Sequence, residues 1–263
     1  MSRAARDPAP NREGAVPELA IGIPAYYYPG TFWDCTLTAT PTVRYVVVNP
    51  GDGPGVRIDP AYSSTIEAAR ASGVRLLGYV PTTWGSRPPR EVLRDVKTFR
   101  DWYGVTDVFL DEAATSSTLL PYYADLVEGI RSGMDGPLVA LNPGTTPDEG
   151  YVSLCDVLVQ FEGTRAAYAR WSPPAWQRDY PRQRFWHVVY GTSRRSMTAV
   201  LRRAARSGAG VVYATDRVLE NPWNGLPPYW DAELRAVTGI NEELEGRVQR
   251  RPGAVRPRGR LSR

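Results

Sequence analysis

Short runs of apolar, β-branched residues alternate with amphipathic segments along most of this chain. An apolar run of four to eight residues predicts a buried strand, and a longer segment with helical periodicity predicts a helix packed on the sheet. Strands and helices that alternate in this way form parallel sheets. In a chain of 263 residues with one composition regime, a single closed barrel is favoured over an open, doubly wound sheet. We therefore predict the α/β class, a single (β/α)8 TIM barrel, with strands beginning at residues 19, 43, 74, 105, 137, 156, 184 and 209.

The connecting segments differ in length at the two ends of the predicted strands. Those that precede strands are short and contain Gly73, Gly104 and Gly208. Those that follow strands are longer and rich in aromatic residues, glycine and proline, at 26–34, 49–60, 81–89, 191–195 and 216–230. The loops after the strands carry the active site in barrels of this kind. This asymmetry places the predicted functional site at the carboxyl-terminal rim.

Two of the predicted strands end in carboxylates. The fourth strand ends in Asp111 and Glu112, and the sixth ends in Glu162. Side chains at these strand ends would project into the same mouth, several ångströms apart, as hydrolysis of a glycosidic bond requires. Like-charge repulsion from Glu112 is expected to raise the pKa of one of the pair. The alternative is that Asp111 and Glu112 cap the following helix or pair with Arg165.

Aromatic residues with a polar group are unusually common, with eight Trp and fifteen Tyr against five Phe. Tyr and Trp offer an apolar face and a hydrogen-bonding group, which suits stacking against sugar rings. Tyr28 and Tyr213 are expected to pack beneath loops. The aromatic residues predicted to bind substrate lie at or just beyond strand ends and are Tyr26, Trp33, Tyr79, Trp84, Tyr190 and Trp223.

Other classes of site find little support. Two cysteines, Cys35 and Cys155, and one histidine exclude a disulfide scaffold and disfavour zinc, so no metal or cofactor is predicted. A hydrolase triad would need His187, which lies in the middle of a strand and is predicted to be structural. The glycine-rich segment 51–55 carries Asp52, which repels phosphate, and no GK[ST] follows. Phosphorylated substrates are therefore disfavoured.

The positive net charge of +4 comes from one end of the chain. Residues 247–263 contain seven Arg and no acidic residue, so the other 246 residues carry −3. A slightly acidic domain does not indicate a nucleic-acid partner. We predict a disordered arm over 1–18, the catalytic barrel over 19–240 and a basic, disordered tail over 241–263. No membrane span is predicted, and the oligomeric state stays open, with a monomer plausible.

Several short motifs together resemble the spherulation-specific family 4, the spherulin-4 proteins, which are grouped with glycoside hydrolase family 135. They occur in order across roughly residues 20 to 240, at 24–29, 49–55, 78–82, 109–112, 141–144 and 161–162. The resemblance implies a (β/α)8 barrel and an endo-acting hydrolase of α-1,4-linked galactosamine or N-acetylgalactosamine polymers, such as galactosaminogalactan. The family's acidic residues map onto Asp111, Glu112 and Glu162. Asn49 and Asn142, which lie in two of the motifs, are added as candidate substrate-binding residues.

The functional hypothesis is a glycoside hydrolase acting on a polysaccharide. Glu162 is the predicted general acid/base, and Asp111 is the nucleophile or orients a substrate acetamido group; these two roles could be exchanged. Glu112 is predicted to bind a substrate amine or hydroxyl. The alternative is a non-catalytic carbohydrate-binding or spherulation-related structural barrel. The first residues contain no apolar signal-peptide region, which predicts the cytoplasm, whereas the resembled family is mostly secreted or on the cell surface.

Overall fold

A computed structural model describes residues 19–249, and its strands close into a barrel. The eight strands are β1 (Ala20–Ala25), β2 (Val43–Val48), β3 (Arg75–Pro81), β4 (Asp107–Asp111), β5 (Val139–Leu141), β6 (Val157–Thr164), β7 (Phe185–Tyr190) and β8 (Val211–Ala214). Each strand pairs in parallel with the next, and β8 pairs with β1. The predicted single (β/α)8 barrel is confirmed.

Helices lie between the strands. They are α1 (Thr31–Leu37), α2 (Pro60–Ser72), α3 (Pro89–Tyr103), α4 (Leu120–Ser132), α5 (Gly150–Leu154), α6 (Arg165–Arg170), α7 (Arg194–Arg206) and α8 (Trp230–Gln249). Short 3₁₀ turns add Thr83–Gly85, Ser117–Leu119, Ala175–Asp179 and Arg182–Arg184. Helix α2 begins where the Asp59 carboxylate accepts from the Ala61 N–H at 2.9 Å, and it ends at Gly73 in the left-handed conformation. The prolines and glycines of the sequence therefore mark where the chain changes direction.

The interior of the barrel is filled by aromatic side chains around Trp186. Its ring lies 5.6 Å from that of Phe109 and 6.1 Å from that of Tyr45, measured between centroids. A Cβ atom on Gly22 of β1 would lie 2.6 Å from the Trp186 ring, so only glycine leaves room for this indole. The packed interior holds the strands rigidly and so fixes the positions of their carboxyl ends.

Two segments differ from the predicted boundaries. The segment 26–34, predicted as a loop, contains the start of α1, because Trp33 and Thr36 bury one side of a short helix. The last helix, predicted over 226–238, runs from Trp230 to Gln249 and passes the predicted domain boundary at residue 240. Glu243 pairs with Arg202 of α7 at 2.5 Å, which ties this extension to the barrel. Residues 1–18 and 250–263, predicted to be disordered, lie outside the described residues.

No helix within residues 19–249 has both the length and the apolar character needed to cross a bilayer.

A buried carboxyl group completes the junction between β8 and α8. Glu233, fully buried in the first turns of α8, accepts a hydrogen bond from the Ala214 N–H at 2.9 Å. Burial raises the pKa of Glu233 to about 8, so the folded protein favours its protonated form. In the unfolded chain, the carboxyl group of Glu233 ionises at lower pH. Stability should therefore fall as the pH rises from the ordinary glutamate range towards 8.

We expect Glu233→Gln to remove that pH dependence, because glutamine keeps an accepting oxygen and cannot ionise. Thermal melts at pH 5 and pH 9 measure this. The variant should match the wild type at pH 5 and gain roughly 1 kcal/mol or more at pH 9. Parallel melting curves for the two proteins across this range would contradict the assignment.

Candidate active site

The carboxylates predicted from the sequence meet in a cleft at the carboxyl-terminal end of the barrel. Asp111 is the last residue of β4, and Glu162 lies near the end of β6. The cleft has a volume of about 480 Å³. Its lining includes seven predicted site residues besides Glu162, namely Tyr26, Trp84, Asp111, Glu112, Asn142, Tyr190 and Trp223. The loop after β8 adds Leu219, Glu220, Asn221 and Pro222, none of which the sequence singled out.

Asn142 links the two central carboxylates. It follows β5, the strand between β4 and β6, and its Nδ2 donates to Asp111 Oδ1 and to Glu162 Oε2, each at 2.7 Å. Those two oxygens are therefore no more than twice 2.7 Å apart. Carboxyl groups about 5–5.5 Å apart are typical of retaining glycosidases, and a wider separation is typical of inverting ones. The limit on the two bridged oxygens favours the closer class.

Burial dominates the electrostatics of this pair. It raises the pKa of both carboxyl groups, and the pKa of Asp111 reaches about 7 because the charge of Glu162 adds to burial. Hydrogen bonds from Tyr79 and Asn142 partly offset the rise at Asp111, and those from Asn142 and Trp223 do so at Glu162. The pair therefore tends to hold one proton near neutral pH, which acid catalysis requires.

Glu112 was expected to raise the pKa of one of the pair by like-charge repulsion, and at Asp111 it does not. The like charge that acts on Asp111 is Glu162, across the mouth of the barrel, and a backbone hydrogen bond with Glu112 lowers the pKa. The chain turns at Glu112, where φ is 50°. Glu112 thus lines the cleft, and its carboxylate is not the charge that raises the pKa of its neighbour.

The alternative roles of Asp111 and Glu112 are also contradicted. The 3₁₀ turn ahead of α4 is capped by Ser116, whose Oγ accepts from the Thr118 N–H. Within residues 19–249, no ion pair joins either acid to Arg165.

A buried network that the sequence did not reveal holds the end of β4. Thr82 Oγ1 donates to the backbone carbonyls of Asp111 and Glu112, at 3.0 and 2.9 Å. The hydroxyl of Tyr123 in α4 lies 2.8 Å from Thr82 Oγ1 and accepts from the Ala114 N–H. In the sequence, Tyr123 cannot be distinguished from a tyrosine that only fills the core, because both lie on the buried face of a helix. This network positions the turn from which the two acids project.

Backbone strain is concentrated at the same rim. The non-glycine residues with left-handed φ in the described part are Asp52, Thr83, Trp84 and Glu112, with φ between 48° and 52°. All four lie on loops that follow β2, β3 or β4. Such conformations cost free energy and cluster at active and binding sites. Their location supports the assignment of the cleft as the functional site.

Aromatic rings form the walls of the cleft. Tyr26 contacts Tyr79 edge-on, with centroids 5.2 Å apart, and Tyr190 contacts Trp223 in the same way at 5.9 Å. Tyr79, predicted to bind substrate, is buried and does not line the cleft; it hydrogen-bonds to Asp111 instead. Trp223 Nε1 also donates to Glu162 Oε1 at 3.2 Å. Trp84 also lines the cleft and is 61% exposed.

Other sequence-based assignments of aromatic and polar residues are corrected. Trp33 is 1% exposed, and its Nε1 donates to the Tyr27 carbonyl, so its prediction as a substrate-binding residue is wrong. Asn49 does not line the cleft; its Oδ1 accepts from the Gly53 N–H at 2.9 Å. Tyr213 is buried as expected, but Tyr28, expected to pack beneath a loop, is 63% exposed.

Histidine and cysteine take no part in the cleft. His187 is fully buried in β7, and its Nδ1 lies 2.7 Å from the Tyr168 hydroxyl, in agreement with the predicted structural role. Burial lowers the pKa of His187 to about 3. Cys35 and Cys155 are free thiols. Across residues 19–249, no three His, Cys, Asp or Glu side chains are grouped as metal ligands.

The fold and its carboxylate pair define a carbohydrate-active barrel of the glycoside hydrolase type. The family model of spherulation-specific family 4 matches residues 20–237. Spherulin-4 of Physarum polycephalum is 33% identical over 236 residues, which cover 85% of this chain and 71% of that protein. The chain belongs to spherulation-specific family 4, as its motifs predicted.

Solved structures show the same architecture. Sph3 of Aspergillus clavatus, crystallised in complex with GalNAc, superposes with a TM-score of 0.73 at 26% identity, over 84% of this chain and 98% of that chain. A β-galactosidase from the psychrophilic Marinomonas ef1 superposes with a TM-score of 0.58 at 11% identity, over 88% of this chain and 60% of that chain. The second likeness concerns the fold alone.

Proposed function

We propose that this protein is an endo-acting glycoside hydrolase of α-1,4-linked galactosamine or N-acetylgalactosamine polysaccharides. The observation that carries the proposal is the pair Asp111 and Glu162, bridged by Asn142 in an open cleft at the barrel rim. The GalNAc complex of Sph3, a relative of similar architecture, supports an amino sugar as the substrate.

The geometry supports a reaction that passes through an oxocarbenium-like transition state. Glu162 gives its proton to the glycosidic oxygen as the bond to the anomeric carbon breaks. The carboxylate of Asp111 attacks that carbon, or orients a substrate acetamido oxygen that does so. Water then adds to the anomeric carbon as the bond from that carbon to Asp111, or to the acetamido oxygen, breaks; Glu162 takes up the proton of the water, and the enzyme returns to its starting state. Asn142 keeps both carboxyl groups in place and donates to whichever oxygen carries charge.

The charge of the cleft suits an amino sugar. Four acidic residues line it, namely Asp111, Glu112, Glu162 and Glu220, and its lining contains no Arg or Lys. An ammonium group on a partly deacetylated polymer would be attracted to this surface, whereas a phosphorylated or uronic-acid polymer would be repelled. Glu112 and Glu220 are the acids proposed to bind such an amine, because Asp111 and Glu162 take part in bond cleavage.

The test is incubation with purified galactosaminogalactan and a panel of other amino-sugar polymers, with products identified by mass. An endo-acting enzyme releases a range of oligosaccharides from the first minutes. Asp111→Asn serves as the inactive control. Binding without any released product would favour the non-catalytic alternative, and cleavage restricted to unrelated polymers would overturn the substrate assignment.

Activity should depend on pH through the shared proton of the carboxyl pair. The reaction needs one carboxyl group protonated and the other ionised, so activity is lost when the second proton leaves. Since burial and mutual repulsion raise both pKa values, and that of Asp111 to about 7, the alkaline limb of kcat/KM should fall near neutral pH. An alkaline limb near pH 4 to 5, typical of an exposed carboxyl group, would contradict the proposed pair.

A further inference from the structure

Within residues 19–249, the large apolar side chains that are exposed to solvent lie on one part of the surface. In the described part of the chain they lie on the segments that follow β1, β2, β3 and β8, and they are Tyr28, Phe32, Val56, Ile58, Trp84, Val218 and Leu219. These four strands are neighbours in the closed barrel, so the segments form one continuous half of the rim. Exposed apolar patches of this kind mark ligand or partner sites.

A second cavity lies on this half of the rim, beside the catalytic cleft. It has a volume of about 540 Å³ and is lined by Tyr28, Val56, Arg57, Ile58 and Asp59, together with parts of the glycine-rich loop. Tyr26, which lines the catalytic cleft, is two residues from Tyr28, so their Cα atoms are no more than about 7 Å apart. The two cavities share no lining residue, and this spacing brings the second within reach of a polymer chain that is bound in the first.

The ring of Tyr28 is exposed and yet held in one orientation. Its hydroxyl donates to both oxygens of Asp59, each at 3.1 Å, and Asp59 is itself fixed as the cap of α2. The ring of Tyr62 supports it edge-on, with centroids 5.6 Å apart. A rigid aromatic face loses little conformational entropy when a ligand stacks on it.

The glycine-rich loop beside Tyr28 is anchored. Asn49 Oδ1 accepts from the Gly53 N–H, and the Tyr62 hydroxyl donates to the Asn49 carbonyl at 3.2 Å. The Asp59 N–H donates to the hydroxyl of Tyr103 at 3.0 Å. On this anchored loop, Val56 is 98% exposed and makes no contribution to the core. An apolar side chain displayed in this way is available to a ligand.

We infer that Tyr28, with Val56, Arg57 and Asp59, forms a second sugar-binding subsite, named here the Tyr28 platform. It rests on the proposed function and extends it. The ring stacks against a pyranose of the same polysaccharide, remote from the bond that is cleaved, while the guanidinium and carboxylate bind hydroxyl or amine groups at the edge of the sugar. The position of Tyr28 on the same rim as the cleft, two residues from Tyr26, favours the substrate chain over a second protein as the occupant.

The test compares a long polymer with short oligosaccharides cut from it, using the full chain. Tyr28→Ala should raise KM for the polymer about tenfold with kcat unchanged, and should leave both constants unchanged for the shortest cleaved substrate. Val56→Ser, at a site with no packing role, should act in the same direction with a smaller effect. Tyr180→Ala is the control, because its hydroxyl also donates to a carboxylate, that of Glu149 at 2.9 Å, in the segment before β7. Its melting temperature is recorded alongside, since this ring also packs against Trp176 and Phe185.

Affinity electrophoresis of the same variants in polymer-containing gels separates this inference from the proposed function. If the wild type cleaves nothing but is retarded more than Tyr28→Ala, the platform stands and the hydrolase proposal fails. Equal KM and equal retardation for wild type and Tyr28→Ala would overturn the platform alone. If the wild type neither cleaves nor is retarded by any polymer, both fail. A dimer in sedimentation that Tyr28→Ala dissociates would identify this face as an interface between copies and overturn the subsite.

Discussion

Glu162→Gln and Asp111→Asn are each expected to lower kcat on the polysaccharide by about 10³-fold or more. Each change removes a group that must transfer a proton or meet the positive charge at the anomeric carbon, and each keeps the size of the side chain. Initial rates of oligosaccharide release measure the effect. Because the acid and the nucleophile act together, the double variant should be little worse than either single one.

The fold should survive these changes. Both carboxyl groups are half-buried at the floor of the cleft and have raised pKa values, so a neutral amide removes an unfavourable charge, and the melting temperature should stay equal or rise. Glu128→Gln, on the exposed face of α4, is the control and should leave kcat unchanged. Wild-type rates in either Glu162→Gln or Asp111→Asn would remove the pair from the mechanism and leave only the barrel.

Asn142→Ala is expected to reduce kcat/KM by about 10²-fold and to move the alkaline limb of the pH profile to higher pH. The side chain donates to both carboxylates, and each of these hydrogen bonds lowers the pKa of its partner. Without them both pKa values rise, so the last proton leaves at higher pH. The separation of the two acids is then no longer fixed.

The comparison is Trp223→Phe, which removes the hydrogen bond to Glu162 Oε1, makes the ring smaller and keeps an aromatic wall. Trp223→Phe should also move the alkaline limb of the pH profile to higher pH, by less than Asn142→Ala does. An unchanged profile in Asn142→Ala would show that the amide does not control the protonation of the pair. A loss of melting temperature with an unchanged profile would assign it a structural role.

The barrel was predictable because its signals are local. Each strand is a short apolar run, and each turn is marked by glycine or proline, as at Gly73 and Gly104. Parallel strands in one closed sheet point their carboxyl ends the same way, so acids at the ends of β4 and β6 had to lie on one rim. The carboxylates were located for this reason, before any distance was known.

Burial of individual aromatic side chains was not predictable in the same way. Trp33 and Tyr28 are both aromatic residues just beyond the first strand, yet Trp33 is in the core and Tyr28 is on the surface. The difference arises because a seven-residue helix, α1, turns Trp33 inwards. Which ring faces the solvent depends on the angle of a short helix, and composition and spacing do not encode that angle.

The sequence by itself determined the barrel, the rim that carries the site and the membership of spherulation-specific family 4, because strand patterns, turn residues and motifs are local properties of the chain. Only the tertiary structure decided that Glu162, and not Glu112, is the charge that acts on Asp111, and that Asn142 bridges the pair. Those relations join β4, β5 and β6 across the mouth of the barrel. They depend on contacts between residues that are far apart in the chain. Those residues come together only when the strands pair and the sheet closes.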